Sequence, residues 1–451
     1  MVRKLFGTDG VRGTANLEPI TAETALKLSM AAGTYFSPVS DKQRPLAVIG
    51  KDTRLSGYML ESAMVAGFTT VGMDVILVGP MVTPGVAMLT RSLRADLGVM
   101  LSASHNPYHD NGIKFFGPDG FKLSDEIELS LETIIRDIDD SVRVSPKHLG
   151  RARRLDDADG RYIEMAKGTF PKGLRLDGLK LVVDCANGAA YKLAPKVFFE
   201  LGADIVALGV EPDGFNINHD CGAMAPQSLQ EAVKSNNAHA GIALDGDADR
   251  IVLVDEKGKV VDGDQILGAL ANAWLKTDEL NGGGIVTTVM SNLGLEIYLN
   301  SKGLKLCRTQ VGDRYVLEYM RQHGFNLGGE QSGHIILSDY ASTGDGIIAA
   351  LQVLSIALTE GKPISDVTRL FEPVPQLLRN IKVKDANNFD DTILRSISET
   401  AERQIDKMGR VLIRKSGTEP VLRVMVESED EVLMLKLVDD INSKLLEYEA
   451  K

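Results

Sequence analysis

Short apolar runs alternate along the chain with longer stretches of helical periodicity, and glycine or charged turns separate them. Residues 45–50, PLAVIG, read as a buried strand that runs into a charged turn, KDTRLSG, and then into a helical pattern from Met59 to Val71. An earlier helical pattern spans Thr21 to about Tyr35 and follows a glycine-punctuated entry loop, LFGTDGVRG, which carries Arg12. MDVILVG and LGVMLSA supply two more strands. Strand, charged loop and helix in that order is the grammar of an α/β domain. It returns at residues 180–190, KLVVDCANGAA, with a helix from near Tyr191, and again at residues 283–300. Three divergent α/β repeats are therefore expected.

The stretch from Asp137 to Gly160 turns polar and charge-rich and marks a first boundary. A proline-marked break at Phe371 to Pro375 precedes a last segment patterned strand, helix, strands, helix. The expected division is 1–153, 154–257, 258–370 and 371–451, three α/β domains with mixed sheets and a smaller C-terminal α+β domain. In the final helix Ser428 and Glu431 stand at capping-box spacing, and Val432, Leu435, Val438 and Ile441 repeat at helical intervals, which predicts packing on a sheet.

Composition narrows the function. At 451 residues the chain exceeds a single core, and 44% hydrophobic with 25% charged residues is ordinary for a globular protein. A net charge of -12 argues against a nucleic-acid surface, which needs clustered positive charge. No apolar run is long enough to span a membrane, and MVRKLFG is followed by no apolar core, so a cytoplasmic chain is expected. Cys185, Cys221 and Cys307 are odd in number and far apart, which disfavours a disulfide framework or a zinc site.

Four loops carry candidate chemistry. In LSASHNPYHDNGIKFF, residues 101–116, Ser104 follows an apolar strand and precedes an Asn-Pro turn, at the carboxyl end where open α/β sheets bind ligands. A cap or turn former is the bland alternative, and Lys114 between Ile113 and Phe115 fits the outward face of a strand. In LDGDADR, Asp245, Asp247 and Asp249 alternate between apolar runs, and such hard oxygen donors suit Mg²⁺ or Ca²⁺. An EF-hand fails here: Arg250 takes the sixth position, where glycine is needed, and the flanks read as strands. A solvated acidic turn stays open, and the haloacid-type phosphatase signature fits poorly. A phosphorylated Ser104 would complete the metal site, with Arg250 steadying the charge. In GGEQSGHIIL, Glu330, Ser332 and His334 share one face if the segment is extended, suited to sugar hydroxyls. In RKSGTEPVLRV, Arg414, the Ser416-Gly417-Thr418 turn and Arg423 form either a phosphate cradle or a basic surface turn.

Taken in order, GTDGVRG, SASHNP with NGIK, DGDADR, GEQSGH and RKSGTEP resemble the α-D-phosphohexomutase family over essentially the whole chain. The resemblance implies a heart-shaped arrangement of four domains around a central cleft, each lending one loop. It implies that Ser104 is a phosphoserine required for activity, that Asp245, Asp247 and Asp249 hold one Mg²⁺ with its phosphate, and that Arg12 supports it. Lys114 and His334 become proton-transfer candidates, Glu330 and Ser332 sugar contacts, and Arg414, Ser416, Gly417, Thr418 and Arg423 the grip on the second phosphate. GEQSGH and RKSGTEP point within the family to a hexosamine phosphate, interconverted between its 6- and 1-phosphates through a bisphosphate. A mutase for mannose or glucose phosphates is the nearest alternative, and a non-catalytic sugar-phosphate binder or a phosphatase the more distant ones. A monomer or a homodimer is expected.

Overall fold

The computed structural model describes residues 5–7, 9–37, 44–385, 388–405, 409–415 and 421–449, with the backbone alone at Asp391. In the first unit, strands β1 (Val11–Thr14), β2 (Leu46–Lys51), β3 (Asp74–Pro80), β4 (Leu97–Leu101), β5 (Asp110–Phe116) and β6 (Ala152–Arg154) form one mixed sheet in the order β1-β5-β4-β2-β3-β6. Strands β2, β3 and β4 are continuous apolar runs because helices α1 (Ala22–Phe36), α2 (Ser56–Thr70), α3 (Thr83–Ser92) and α4 (Asp125–Asp137) leave them little open face. The entry loop is only partly a loop. Its end forms β1, antiparallel to β5, with Arg12 opposite Gly112.

The second unit carries β7 (Lys180–Asp184), β8 (Asp204–Leu208), β9 (Ala240–Leu244), β10 (Ile251–Asp255) and β11 (Val260–Val261) in the order β11-β10-β9-β7-β8, with helices α5 (Ala158–Gly168), α6 (Leu193–Glu200) and α7 (Gln227–Ser235). Strands β9 and β10 pair as a hairpin with Leu244 opposite Ile251, so the acidic loop is the hairpin turn. The third unit carries β12 (Gly284–Thr288), β13 (Lys305–Thr309), β14 (Leu327–Gly329) and β15 (Ile335–Leu337) in the order β13-β12-β14-β15. Its helices are α8 (Gly263–Thr277), α9 (Leu293–Ser301), α10 (Asp313–His323), α11 (Gly346–Glu360) and α12 (Ile364–Thr368).

The C-terminal unit is a three-stranded antiparallel sheet of β16 (Gln376–Lys382), β17 (Arg410–Lys415) and β18 (Val421–Glu427), covered by α13 (Asp391–Glu402) and α14 (Glu431–Glu449). Helix α14 does pack on the sheet, but with a different stripe from the one read in the sequence. Met434, Leu437, Val438, Ile441 and Leu445 are buried, whereas Val432 and Leu435 are exposed. The helix offers two apolar rows that share Val438 and Ile441, and the row completed by Met434, Leu437 and Leu445 wins the sheet. Its first turn is capped by Asp430, whose carboxylate accepts the Leu433 N–H at 2.9 Å, while Ser428 accepts the Asp430 N–H at 3.1 Å.

The cores divide the molecule unequally. One buried cluster runs without a break from Val48 through the second unit to Val367 in the third. The C-terminal unit has its own cluster, from Ile381 to Leu445. The thiols of Cys185, Cys221 and Cys307 are free, and among the described residues no helix is long and apolar enough to cross a membrane.

Candidate active site

Ser104 leaves β4 with φ +53° and is buried, a left-handed backbone that a serine adopts only where neighbours over-determine it. Those neighbours are visible. The Ser102 hydroxyl accepts the Ser104 N–H at 2.9 Å, and the Ser104 carbonyl accepts from Arg54 Nη2 and Asn218 Nδ2, both at 2.9 Å. Arg54 is fully buried. Beyond its 2.8 Å bond to Asp52 it donates to the carbonyls of Asn106 (2.8 Å), Asp110 (3.0 Å) and Pro107. One guanidinium thus gathers four carbonyls of the serine loop. The sequence marked Arg54 only as part of a charged turn, since nothing local shows that its partners lie some fifty residues on.

The serine hydroxyl donates to Asp245 Oδ2 at 2.5 Å, joining the first unit's loop to the second unit's hairpin turn. Asp245, Asp247 and Asp249 are all buried, with one carboxylate oxygen from each lying within 4.8 Å of the others. The turn can close only because position 246 is glycine, where a Cβ would crowd the Ser104 carbonyl oxygen. Burial first, and then the charges of Asp249 and Asp247, push the Asp245 carboxyl up to about 8. Asp247 Oδ1 and Asp249 Oδ1 are buried without a hydrogen-bond partner among the described residues. Three oxygen donors crowded together, with two orphaned oxygens, fit a hard divalent cation and fit a solvated turn badly.

Lys114 lies within this cluster and not on an outward strand face. It is 1% exposed, and its ammonium sits 2.8 Å from Asp247, 3.3 Å from Asp9 and 3.5 Å from Asp249. Burial pulls its pKa down, but the charges of Asp247, Asp9 and Asp249 outweigh it and hold the group protonated. Asp9 is an anionic hub that the sequence reading did not pick out. It pairs with Arg12, Lys114 and Lys122, and these three cations hold its carboxyl well below the usual range against the pull of burial. Lys122 continues to Asp313 at 2.6 Å, so a chain of half-buried charges ties the first unit to the third. Arg12 Nε and Arg250 Nε are buried and unpartnered, and Arg250 Nε lies 4.0 Å from Asp249 Oδ1.

The GEQSGH segment is the turn of the β14–β15 hairpin and not an extended strand: Glu330 N–H donates to the His334 carbonyl at 3.0 Å and Gly333 N–H to the Glu330 carbonyl at 2.9 Å. The three side chains therefore do not line one strand face, although Ser332 still reaches Glu330. Ser332 is exposed, 3.5 Å from Glu330 Oε2, while Glu330 Oε1 accepts the Gly312 N–H at 3.2 Å. His334 is buried between Asp249 (Nδ1, 3.7 Å) and Asp313 (Nε2, 3.4 Å), and Gly344 N–H points at Nε2 at 3.1 Å. Burial lowers its pKa, and the two carboxylates outweigh that and raise it. The turn is stitched to the acidic β9–β10 hairpin by Ile251 N–H donating to the Gly333 carbonyl at 3.0 Å.

In the C-terminal unit Arg414 and Arg423 stand opposite each other on β17 and β18, each with a buried Nε that has no partner among the described residues. Burial and then the like charge of Arg423 lower the Arg414 pKa. Two cations in cross-strand register repel unless an anion lies between them. Ser416, Gly417 and Thr418 fall outside the described residues.

Comparison with known proteins gives a consistent result. Family models for phosphoglucomutase/phosphomannomutase match in order: alpha/beta/alpha domain I at residues 3–141, domain II at 161–258, domain III at 262–374 and the C-terminal domain at 365–444. A phosphoglucosamine mutase from Paramagnetospirillum magneticum is 60% identical over 444 residues, covering 98% of each chain. Among solved structures, a phosphoglucomutase/phosphomannomutase family protein from Burkholderia thailandensis superposes with a TM-score of 0.81 at 24% identity, covering 98% of this chain and 97% of that one. Aspergillus fumigatus N-acetylphosphoglucosamine mutase, in complex with GlcNAc-6P and magnesium, gives 0.68 at 19%, covering 99% and 96%.

Proposed function

The chain belongs to the phosphoglucomutase/phosphomannomutase family, and from that premise we propose that it is an isomerase that interconverts glucosamine 6-phosphate and glucosamine 1-phosphate through a phosphorylated Ser104. The observation that carries this reading is the 2.5 Å approach of the Ser104 hydroxyl to a buried triad of carboxylates contributed by another unit. A serine held so, in a strained backbone braced by Arg54 and Asn218, is a fixed point for a phosphoryl group.

The bond between phosphorus and the Ser104 oxygen breaks as a bond forms from phosphorus to the sugar's free hydroxyl oxygen, giving glucosamine 1,6-bisphosphate. Ser104 then takes back the other phosphoryl group. One Mg²⁺ per chain, held by Asp245, Asp247, Asp249 and a phosphoryl oxygen on Ser104, would polarise the transferred group. Arg12 and Arg250 turn their free Nε donors to the phosphoryl oxygens, and Lys114 and His334 carry protons for the exchanging oxygens. Glu330 and Ser332 hold the sugar hydroxyls. Arg414 and Arg423, with Ser416, Gly417 and Thr418, hold the phosphate that is not moving. Since one triad and one cradle serve both half-reactions, the bisphosphate must turn end for end before the return transfer.

The test compares isomerisation of glucosamine, glucose and mannose 6-phosphates by wild type and Ser104→Ala, with intact mass read in parallel. Preference for the amino sugar, a phosphate adduct on wild type alone and near-total loss of turnover in the variant are expected. Undiminished turnover by Ser104→Ala overturns the mechanism; faster turnover of glucose or mannose phosphate overturns the substrate.

A further inference from the structure

Thr83 is the first residue of α3, in the unit that carries Ser104, yet both of its donors are directed at a residue of the second unit. Its backbone N–H donates to the Asp247 carbonyl at 2.9 Å, and its hydroxyl donates to Asp247 Oδ2 at 2.5 Å. The side chain is fully buried. Asp247 sits between Gly246 and Ala248, the latter at φ +58°, in a turn with little regular structure to fix it. The same Oδ2 receives Lys114 at 2.8 Å, whereas Oδ1 is buried with no partner among the described residues. One oxygen of this carboxylate is thus fully engaged by protein donors and the other is left free.

We propose that Thr83 is a positioning residue for the cation site: by holding Asp247 at both its backbone carbonyl and Oδ2, it presents Oδ1 to a hard divalent cation. This rests on the metal reading above. With the backbone pinned at the carbonyl and Oδ2 held by a buried hydroxyl from the same residue, the Asp247 carboxylate is restrained about its terminal torsion, so the ligand oxygen is placed before the ion arrives. Lys114 alone cannot do this, because its flexible ammonium is shared with Asp9 and Asp249. It follows that the site is assembled across two units, with Thr83 and Lys114 on Asp247 and Ser104 on Asp245 as cross-unit hydrogen bonds to the triad.

The experiment is titration of Mn²⁺, a hard divalent cation visible by electron paramagnetic resonance, into the full-length protein without substrate. Thr83→Val removes the hydroxyl at nearly constant shape, Thr83→Ser keeps it and removes the methyl, and Asp247→Asn sets the baseline of a broken site. Thr83→Val is expected to weaken Mn²⁺ binding about 10- to 100-fold, the usual effect of losing an outer-shell partner of a metal ligand, while Thr83→Ser stays close to wild type. Thr83→Ala carries the same expectation as Thr83→Val, should valine disturb folding by circular dichroism. Equal binding by Thr83→Val and wild type overturns the proposal, as does equal loss in Thr83→Ser and Thr83→Val. Wild-type binding no tighter than that of Asp247→Asn overturns the metal reading itself, and the inference with it.

Discussion

Arg414 and Arg423 illustrate how much chemistry rests on single side chains in this molecule. Each holds a guanidinium facing its twin across β17 and β18 with a donor unused, an arrangement unfavourable in isolation and relieved by a dianion. Replacing either with alanine is expected to raise KM for the sugar phosphate at least about tenfold, the scale of one lost hydrogen bond to a charged group, with thermal stability unchanged or slightly higher. Steady-state kinetics with a melting curve checks both. Arg54 should behave differently, because it touches no substrate and instead gathers carbonyls of the serine loop. Arg54→Lys keeps the charge but loses the fork, and the resulting misplacement of Ser104 should lower kcat by about two orders of magnitude, with a smaller fraction of phosphorylated protein in the intact mass. Residues such as Ser104, Asp245 and Arg423 were picked out as candidates in the sequence because their motifs are local. Arg54, Thr83, Asp9, Lys122 and Asp313 were not, because what defines them is a partner brought near by folding.

At the scale of the elements, the strands β2, β3, β4, β7, β9, β10 and β12 were legible as apolar runs, and helices α1, α2 and α9 as periodic ones. Strand β1 was hidden by glycine, and the hairpin turn of GEQSGH by its alternation, which reads equally as an edge strand. Helix α11 carries a consequence at its start. Asp345 caps it by accepting the Ile347 and Ile348 N–H groups at 3.0 Å and also receives the Tyr162 hydroxyl from α5. Burial pushes its carboxyl up to about 6, against the pull of those hydrogen bonds. A carboxyl raised in the folded state binds its proton more tightly there than in the unfolded chain. Its contribution to stability is therefore complete below pH 3.8 and lost as pH rises through about 6. The interval corresponds to about 3 kcal/mol, as an order of magnitude. Thermal melts of wild type and Asp345→Asn from pH 4 to 7 should show the variant gaining on wild type across that window. A constant difference between the two curves would count against the assignment.

At the scale of the whole molecule, the division of cores decides what can move. The first three units share one continuous buried cluster and are tied by the charges of Asp9, Lys122 and Asp313. The C-terminal unit has a separate core, and among the described residues it is hydrogen-bonded to the third unit around the N-terminus of α9. Arg410 donates to the Ser291 carbonyl at 3.0 Å, and Glu427 accepts the Leu293 N–H at 3.3 Å. The two side chains pair with each other at 2.8 Å, and Asn292 brackets the linker by bonding both the N–H and the carbonyl of Val374 at 2.9 Å. This junction, at the N-terminus of α9, is where a swing of the sheet that carries Arg414 and Arg423 would be resisted. Arg410→Gln removes the bond to Ser291 and leaves the buried Glu427 carboxylate without its cation, beside the neutral donors of Leu293 and Gln376, a loss of about 3 to 5 kcal/mol for a broken buried pair. The unit should then open more often while keeping its own core. Faster hydrogen exchange at the Leu293 and Val374 amides, without change inside β9 or β10, is the structural readout. The functional one follows from the need to turn a bisphosphate inside the cleft: a looser unit releases it, and turnover should come to depend on added glucosamine 1,6-bisphosphate. Unchanged exchange at the junction, or full activity without the added bisphosphate, would show that the hinge is held elsewhere.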